Sequence, residues 1–194
     1  VKVRNCIAGG SNFRSHRDEA EQVWKKRGAT PPPLEIPIGF LKVSSCMVPT
    51  RAQVQRPAET SMLDYEVECV AVVGWPTLRV SEREALKSVF GYTIMNDLSA
   101  REIQMKEMEN HTILMGKNFP GFGPLGPWIL TADELPDPAA LELELRVNGD
   151  GLNRSRGNAP TKAVVYRSWV VSAMLTSEAI GLVLQRRSNH GLND

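Results

Sequence analysis

Cysteine is scarce in this 194-residue chain, neither sign of charge is in excess, and no long uninterrupted apolar run occurs. The three cysteines, Cys6, Cys46 and Cys69, are odd in number and show no CxxC spacing. That argues against a disulfide framework and against a thiolate zinc site. A reducing compartment is the simplest reading, with the cytoplasm expected. A mitochondrion stays open, because a targeting segment is not visible in a chain that starts at Val1. Lys and Arg number 23 against 22 Asp and Glu, a net charge of +1, so no basic excess advertises nucleic acid or a membrane surface as partner. The most apolar stretch, Trp169 to Leu184, is interrupted by Ser172, Thr176, Ser177 and Glu178 and is too short and too polar to span a bilayer. What remains is 42% hydrophobic and 23% charged with 15 Gly and 13 Pro, the profile of an ordinary globular protein. Its length suits a single domain, residues 1–194, with a sizeable core. Small molecules or proteins are the partners left.

Along the chain, residues 1–13 read as a short strand running into a loop at Gly9-Gly10. A charged, helix-compatible segment follows from about Ser15 to Arg27, closed by Gly28. Thr30-Pro31-Pro32-Pro33 and Pro37 enforce an extended connection. Ile38 to Val43 reads as a strand and 44–61 as loop. Tyr65 to Val73 is β-rich and closed by Gly74 and Pro76. Ser81-Glu82-Arg83-Glu84 is a capping-box pattern that opens a helix to about Phe90, stopped by Gly91. Tyr92 to Asn96 is another strand, and the polar stretch to Gly116 is loop or short helix. Gly and Pro punctuate Phe119 to Pro127 before a short strand at Trp128 to Leu130. Leu141 to Val147 alternates and meets Asn148-Gly149, a two-residue hairpin signal. Many short strands with few helices predict an α+β fold that is mainly β.

Alternation along Tyr65–Val73 places Glu66, Glu68, Val70 and Val72 on one face and Tyr65, Val67, Cys69, Ala71 and Val73 on the other. Both faces are largely apolar, so the strand is expected to be buried on both sides. One face nevertheless begins with two carboxylates about 7 Å apart. Such acids need a cation or a change of protonation; a metal ion would supply it, and so would a strand end that reaches solvent. Leu141 to Val147 carries the same Glu-x-Glu spacing at Glu142 and Glu144, but its polar face includes Arg146 and is explained by solvent. Asp97 closes the next strand. Glu66, Glu68 and Asp97 together are hard oxygen donors suited to Mg²⁺, Mn²⁺ or Ca²⁺ rather than Zn²⁺ or Cu²⁺. Three carboxylates leave coordination positions open for water and a chelating substrate, which is Lewis-acid work.

Arg101 lies four residues past Asp97, and Gln104 three further on, so one helical turn can present them together. Lys117 follows Gly116, where a glycine permits close approach of backbone to ligand. Taken alone, each reads first as a surface cation or amide. His16 and Glu19 are three apart in a helix-compatible segment, where a carboxylate can orient an imidazole and raise its basicity. The pair is either a general base for water or an exposed helical charge pair. No nucleophile elbow, P-loop or dinucleotide fingerprint is present.

Together these segments resemble the fumarylacetoacetate hydrolase family. Asp64-Tyr65-Glu66-Val67-Glu68 is similar to its Tyr-Glu-x-Glu strand, and Gly91 to Gln104 (GYTIMNDLSAREIQ) to its most recognisable signature. Gly116-Lys117-Asn118-Phe119 and Pro124-Leu125-Gly126-Pro127-Trp128 match the block that follows. Gly10-Ser11-Asn12-Phe13 with His16 and Glu19 is similar to the family's lid, placed here at about residues 9–28. Order and spacing agree from about residue 5 to 156. The resemblance implies a β-rich α+β roll or sandwich, commonly a homodimer. It implies Mg²⁺ or Mn²⁺ at Glu66, Glu68 and Asp97. It also implies that Arg101, Gln104 and Lys117 hold a substrate carboxylate and developing oxyanion, and that a His16–Glu19 dyad activates water. Members of the family cleave C–C bonds in 2,4-dioxo acids such as acylpyruvates, decarboxylate oxaloacetate, or isomerise related 2-oxo acids, through an enol or enolate held at the metal. The expected function is the first of these, on a small anionic 2-oxo-acid substrate. Three carboxylates around a divalent ion leave a net negative site, so the added cations are needed to hold that anion.

The resemblance ends at a divergent tail, about 157–194. Family members continue through a Pro-Gly-Asp strand to a Thr-Gly-Thr-Pro loop, and Lys162 to Asp194 contains neither. Ser168 to Arg187 reads instead as a helix. Without its closing loop the chain could also be a non-catalytic family member that binds or regulates.

Overall fold

The structure is a computed structural model describing residues 5–9, 21, 22, 25, 26, 28, 39–135, 137, 138, 143, 145–147 and 172–175. Its strands are β1 (Asn5–Gly9), β2 (Gly39–Val43), β3 (Met47–Pro49), β4 (Leu63–Asp64), β5 (Val67–Val73), β6 (Val89–Asn96), β7 (Ser99–Ala100), β8 (Gly123–Thr131) and β9 (Ser172–Leu175). Besides the α-helical residues Glu21, Gln22, Lys25 and Lys26, the α-helices are α1 (Glu82–Ala85) and α2 (Arg101–Glu109), along with 3₁₀ turns at Ser44–Cys46, Leu86–Ser88 and Met115–Lys117. Seven strands form one mixed sheet in the order β2-β1-β9-β5-β6-β8-β3, and β4 pairs with β7 in a second. This is the mainly-β α+β architecture that the alternation predicts.

β5 is covered on both faces, as its pattern requires: Val70 and Val72 are buried on one side, Cys69 and Val73 on the other. Val70 and Val72 pack with Cys6 and Met95, flanked by Met47, Leu125 and Ile129. A second cluster, Leu98, Ala100 and Phe122 with Val54, Leu63, Ile103 and Phe119, lies beneath the start of α2. The cysteines are free and buried, in keeping with a chain that has no disulfide framework.

Several boundaries differ from the sequence reading. β5 begins at Val67 rather than Tyr65, because Leu63 and Asp64 pair with Ala100 and Ser99 instead. The capping box does form, with the Ser81 backbone N–H and hydroxyl both donating to Glu84 Oε2 at 3.2 and 2.6 Å. The helix it opens gives way to a 3₁₀ turn at Leu86 and to strand at Val89. Gly91 therefore stops no helix. It lies inside β6, where a Cβ would stand 2.4 Å from the Leu130 carbonyl oxygen; glycine permits β8 to close against β6. The segment 44–61, read as loop, contains a 3₁₀ turn and β3, which pairs in parallel with Gly123–Leu125. β8 runs over nine residues, longer than the three expected at Trp128 to Leu130.

The largest correction lies in the tail. Ser172–Leu175 is not helical but the interior strand β9, antiparallel to β1 (Cys6↔Met174) and parallel to β5 (Ala71↔Ala173). β1 and β5 would otherwise present unpaired edges, and pairing them outweighs a helical apolar spacing. The Asn148-Gly149 hairpin, Glu142 and Glu144 lie outside the described residues.

Candidate active site

The antiparallel register Val67↔Asn96 and Glu68↔Met95 brings the start of β5 to the end of β6. One residue beyond, the Asp97 N–H donates to the Glu66 carbonyl at 2.7 Å, and the Asn96 side chain accepts from the Glu66 N–H at 3.2 Å. Two acids 31 positions apart in sequence thus become neighbours through backbone pairing alone.

Cations fill the space around them. Lys117, 2% exposed, donates from Nζ to Glu66 Oε2 at 2.5 Å and to Asp97 Oδ2 at 2.8 Å. Its ammonium also lies 5.1 Å from the centre of the Phe40 ring. Arg101, at the first position of α2, donates from Nε to Asp64 Oδ2 at 2.7 Å and from Nη1 to Gln104 Oε1 at 2.7 Å, and Nη2 reaches Glu66 Oε1. The helical spacing of Arg101 and Gln104 is thus used as predicted.

The sequence reading missed Lys42. It is wholly buried, and its Nζ donates to Asp97 Oδ1 and to the Lys117 carbonyl oxygen, each at 2.6 Å. The available signal was alternation: in β2, Phe40 and Lys42 share the buried face while Leu41 is exposed, so a lysine sits where the strand period demands an apolar residue. Asp64 and Asn118 were also given no role. Asn118 accepts from the Val43 N–H at 2.7 Å and donates to the Leu41 carbonyl at 2.8 Å, gripping β2 on either side of Lys42.

The charges are unevenly matched. Burial pulls Glu66 up, but the Lys117 and Arg101 cations outweigh it and hold the carboxyl down at about 2. Burial likewise pulls Lys117 down, and Glu66 and Asp97 more than reverse it. Arg101 behaves in the same way under Glu66 and Asp64. Glu68 is the exception: burial first, then the Glu66 and Asp97 charges, push it up to about 8, and Lys117 and Lys42 offset this only in part.

The chemistry of these groups fits a divalent ion. Glu68 feels the charges of Glu66 and Asp97, and as the carboxylate that the nearby cations compensate least it is the one an added 2+ charge would relieve. Among the described residues, no three His, Cys, Asp or Glu side chains already stand at coordination geometry; Glu66 and Asp97 direct their oxygens at ammonium and guanidinium groups instead. Glu66, Asp97, Arg101, Gln104 and Lys117 are thus linked in one network, with Glu68 beside it. His16 and Glu19 lie outside the described residues.

The fumarylacetoacetate (FAA) hydrolase C-terminal family model matches residues 5–181. The chain belongs to the fumarylacetoacetate hydrolase family. A fumarylacetoacetate hydrolase domain-containing protein 2 homolog of Dictyostelium discoideum is 33% identical over 184 residues, covering 91% of this chain and 56% of its own length. This family member spans about half the length of the curated relatives it matches. Among solved structures, 5-carboxymethyl-2-hydroxymuconate delta-isomerase from Mycobacterium smegmatis is similar at a TM-score of 0.64 and 33% identity, covering 80% of this chain and 56% of that one. Fumarylpyruvate hydrolase from Pseudomonas aeruginosa, in complex with Mn²⁺ and pyruvate, is similar at a TM-score of 0.64 and 26% identity, covering 77% and 62%. Among the described residues no helix is long and apolar enough to cross a membrane.

Proposed function

We propose that this chain is the catalytic part of a divalent-metal-dependent hydrolase that cleaves a C–C bond of a small 2,4-dioxo acid of the acylpyruvate type. The observation that carries the reading is the joining of Glu66 and Asp97 through Lys117, with Arg101 and Lys42 bonded to the same acids and Glu68 near enough to feel both charges while only partly compensated. The similar hydrolase in complex with Mn²⁺ and pyruvate supports both the metal class and the product class. Glu66, Glu68 and Asp97 would hold Mg²⁺ or Mn²⁺, with Ca²⁺ as a further hard cation. When bound, the ion supplies Lewis acidity toward a 2-oxo carbonyl.

In this reading Arg101, oriented by Asp64 and paired with Gln104, binds the substrate carboxylate. Lys117 balances the oxyanion that develops beside it. His16, oriented by Glu19, takes a proton from water. The resulting hydroxide adds to the distal acyl carbonyl, and the C–C bond breaks with its electron pair moving into the 2-oxo-acid fragment. That fragment gains a proton at carbon and leaves as pyruvate, while the acyl group leaves as a carboxylic acid.

The expected assembly is a homodimer; Phe90 and Ile94 on β6 and Trp128 on β8 are exposed apolar side chains on adjacent strands. The test of the activity is pyruvate release from an acylpyruvate by the full chain with Mn²⁺. His16→Ala is expected to abolish it, and cleavage at the parent rate would remove the dyad from the mechanism. A 2-oxo-acid isomerase is the second reading, favoured by the delta-isomerase similarity. It predicts a shift in substrate absorbance without pyruvate, and activity that survives His16→Ala.

A further inference from the structure

The last turn of α2 and the segment before Lys117 are joined by one carboxylate. Three successive backbone N–H groups converge on Glu107: Leu114 donates to Oε2 at 3.1 Å, Met115 to Oε1 at 2.5 Å and Gly116 to Oε2 at 3.1 Å. A concave row of N–H groups of this kind is an anion-binding nest, and here the anion is supplied by the chain itself. The 3₁₀ turn is built directly on the gripped residues, since the Lys117 N–H donates to the Leu114 carbonyl and the Asn118 N–H to the Met115 carbonyl, at 3.2 and 3.1 Å. Gly116 presses on α2 so closely that a Cβ there would lie 2.7 Å from the Gln104 backbone nitrogen. Immediately downstream come the Lys117 ammonium between Glu66 and Asp97, the Lys117 carbonyl on Lys42, and the Asn118 amide on β2.

We propose that Glu107 is a positioning residue: its carboxylate fixes Leu114–Gly116 against α2 and thereby sets where the Lys117 ammonium stands in the site. Glu107 touches neither the carboxylate trio nor its cations, so it acts through Lys117 rather than on substrate. Both of its oxygens are used. An amide at this position has one acceptor and turns its NH₂ toward at least one of the three N–H groups, so Glu107→Gln breaks the grip with little change of size. The link to substrate binding rests on the function proposed above, whereas the grip itself does not.

The test is a double-mutant cycle on the full chain, read by calorimetric titration of oxalate at saturating Mn²⁺ in the parent, Glu107→Gln, Lys117→Met and the double variant. Amide hydrogen exchange is followed in parallel without metal. Glu107→Gln is expected to weaken oxalate binding about tenfold, the scale of a lost supporting contact, and the double variant to bind no more weakly than Lys117→Met alone. Protection is expected to fall at residues 114–118 and to persist in β5 and β6, and Glu107→Asp, which keeps two acceptors, to recover part of both effects. Unchanged protection at 114–118 overturns the proposal, as do a full tenfold loss added to Lys117→Met or loss of protection throughout the sheet. If the parent binds no oxalate, the functional reading has failed, and the exchange result alone decides the role of Glu107.

Discussion

Burying the Lys42 ammonium costs several kcal/mol unless its protons meet acceptors, and Asp97 Oδ1 and the Lys117 carbonyl oxygen both receive one. Removing the cation strands both. Lys42→Met keeps the volume and leaves Asp97 with Lys117 as its remaining ammonium partner; the expected loss of stability is about 3 kcal/mol, measured by urea denaturation. A loss under about 1 kcal/mol, the scale of an exposed pair, would mean that the Lys42–Asp97 bond contributes little. Much of the site was legible at this scale. Glu66 and Glu68 stood out as acids on an apolar strand, Asp97 as the end of the next strand, and Arg101 and Gln104 as one helical turn. Lys42 was not, since a lone lysine in a short strand looks like a solvated residue until the partner strands show which face is covered. Asn118 was illegible for a related reason: its amide replaces a strand partner, and no local pattern marks that.

Helix α2 is short and has no apolar stripe that would make it stable alone, and its two ends are tied to the segments it organises. At its start Glu102 accepts from the Ser61 and Met62 N–H groups at 3.0 Å each and from the Ser61 hydroxyl at 2.5 Å, with the Thr60 hydroxyl also donating. The Ser61 and Thr60 hydroxyls foremost hold its carboxyl down at about 2, from an ordinary 4.5. A folded-state value below the unfolded one adds stability that is fully present above about pH 4.5 and is lost as pH falls through about 2. The melting-temperature difference between the parent and Glu102→Gln is therefore expected to be widest near neutrality and to narrow steadily from pH 4.5 toward 2; a difference independent of pH would contradict this role. Gly91 gives a second test among the elements. Gly91→Ala forces its Cβ against the Leu130 carbonyl, and overpacking against backbone is expected to cost about 1–3 kcal/mol in a chemical melt. No loss would mean that β6 and β8 can separate freely. The capping box at Ser81 was readable because its logic is local, whereas Gly91 was misread as a helix stop because its reason is Leu130 on a neighbouring strand, 39 residues away in sequence.

Across the whole molecule, backbone pairing assembles the site. β5 and β6 bring Glu66 to Asp97, β2 brings Lys42 to Asp97, and α2 with the turn at 115–117 brings Arg101, with Gln104 on its guanidinium, and Lys117 to the same acids. The mainly-β class was legible from alternation, and the family from the Gly91–Gln104 signature. The tail was not, because the apolar spacing of Ser168 to Arg187 reads as a helix and only the gap between β1 and β5 makes Ser172–Leu175 a strand. The central claim is that Glu66, Glu68 and Asp97 hold a divalent ion that a 2-oxo acid then chelates. It is tested most directly by calorimetric titration of Mn²⁺, then of oxalate, into the full chain and into Glu68→Gln, with thermal melts confirming that both are folded. The account predicts that the parent binds the ion and, only in its presence, oxalate, and that Glu68→Gln loses both. A folded parent that takes up no Mn²⁺, or a Glu68→Gln variant that binds Mn²⁺ and oxalate as the parent does, would contradict it.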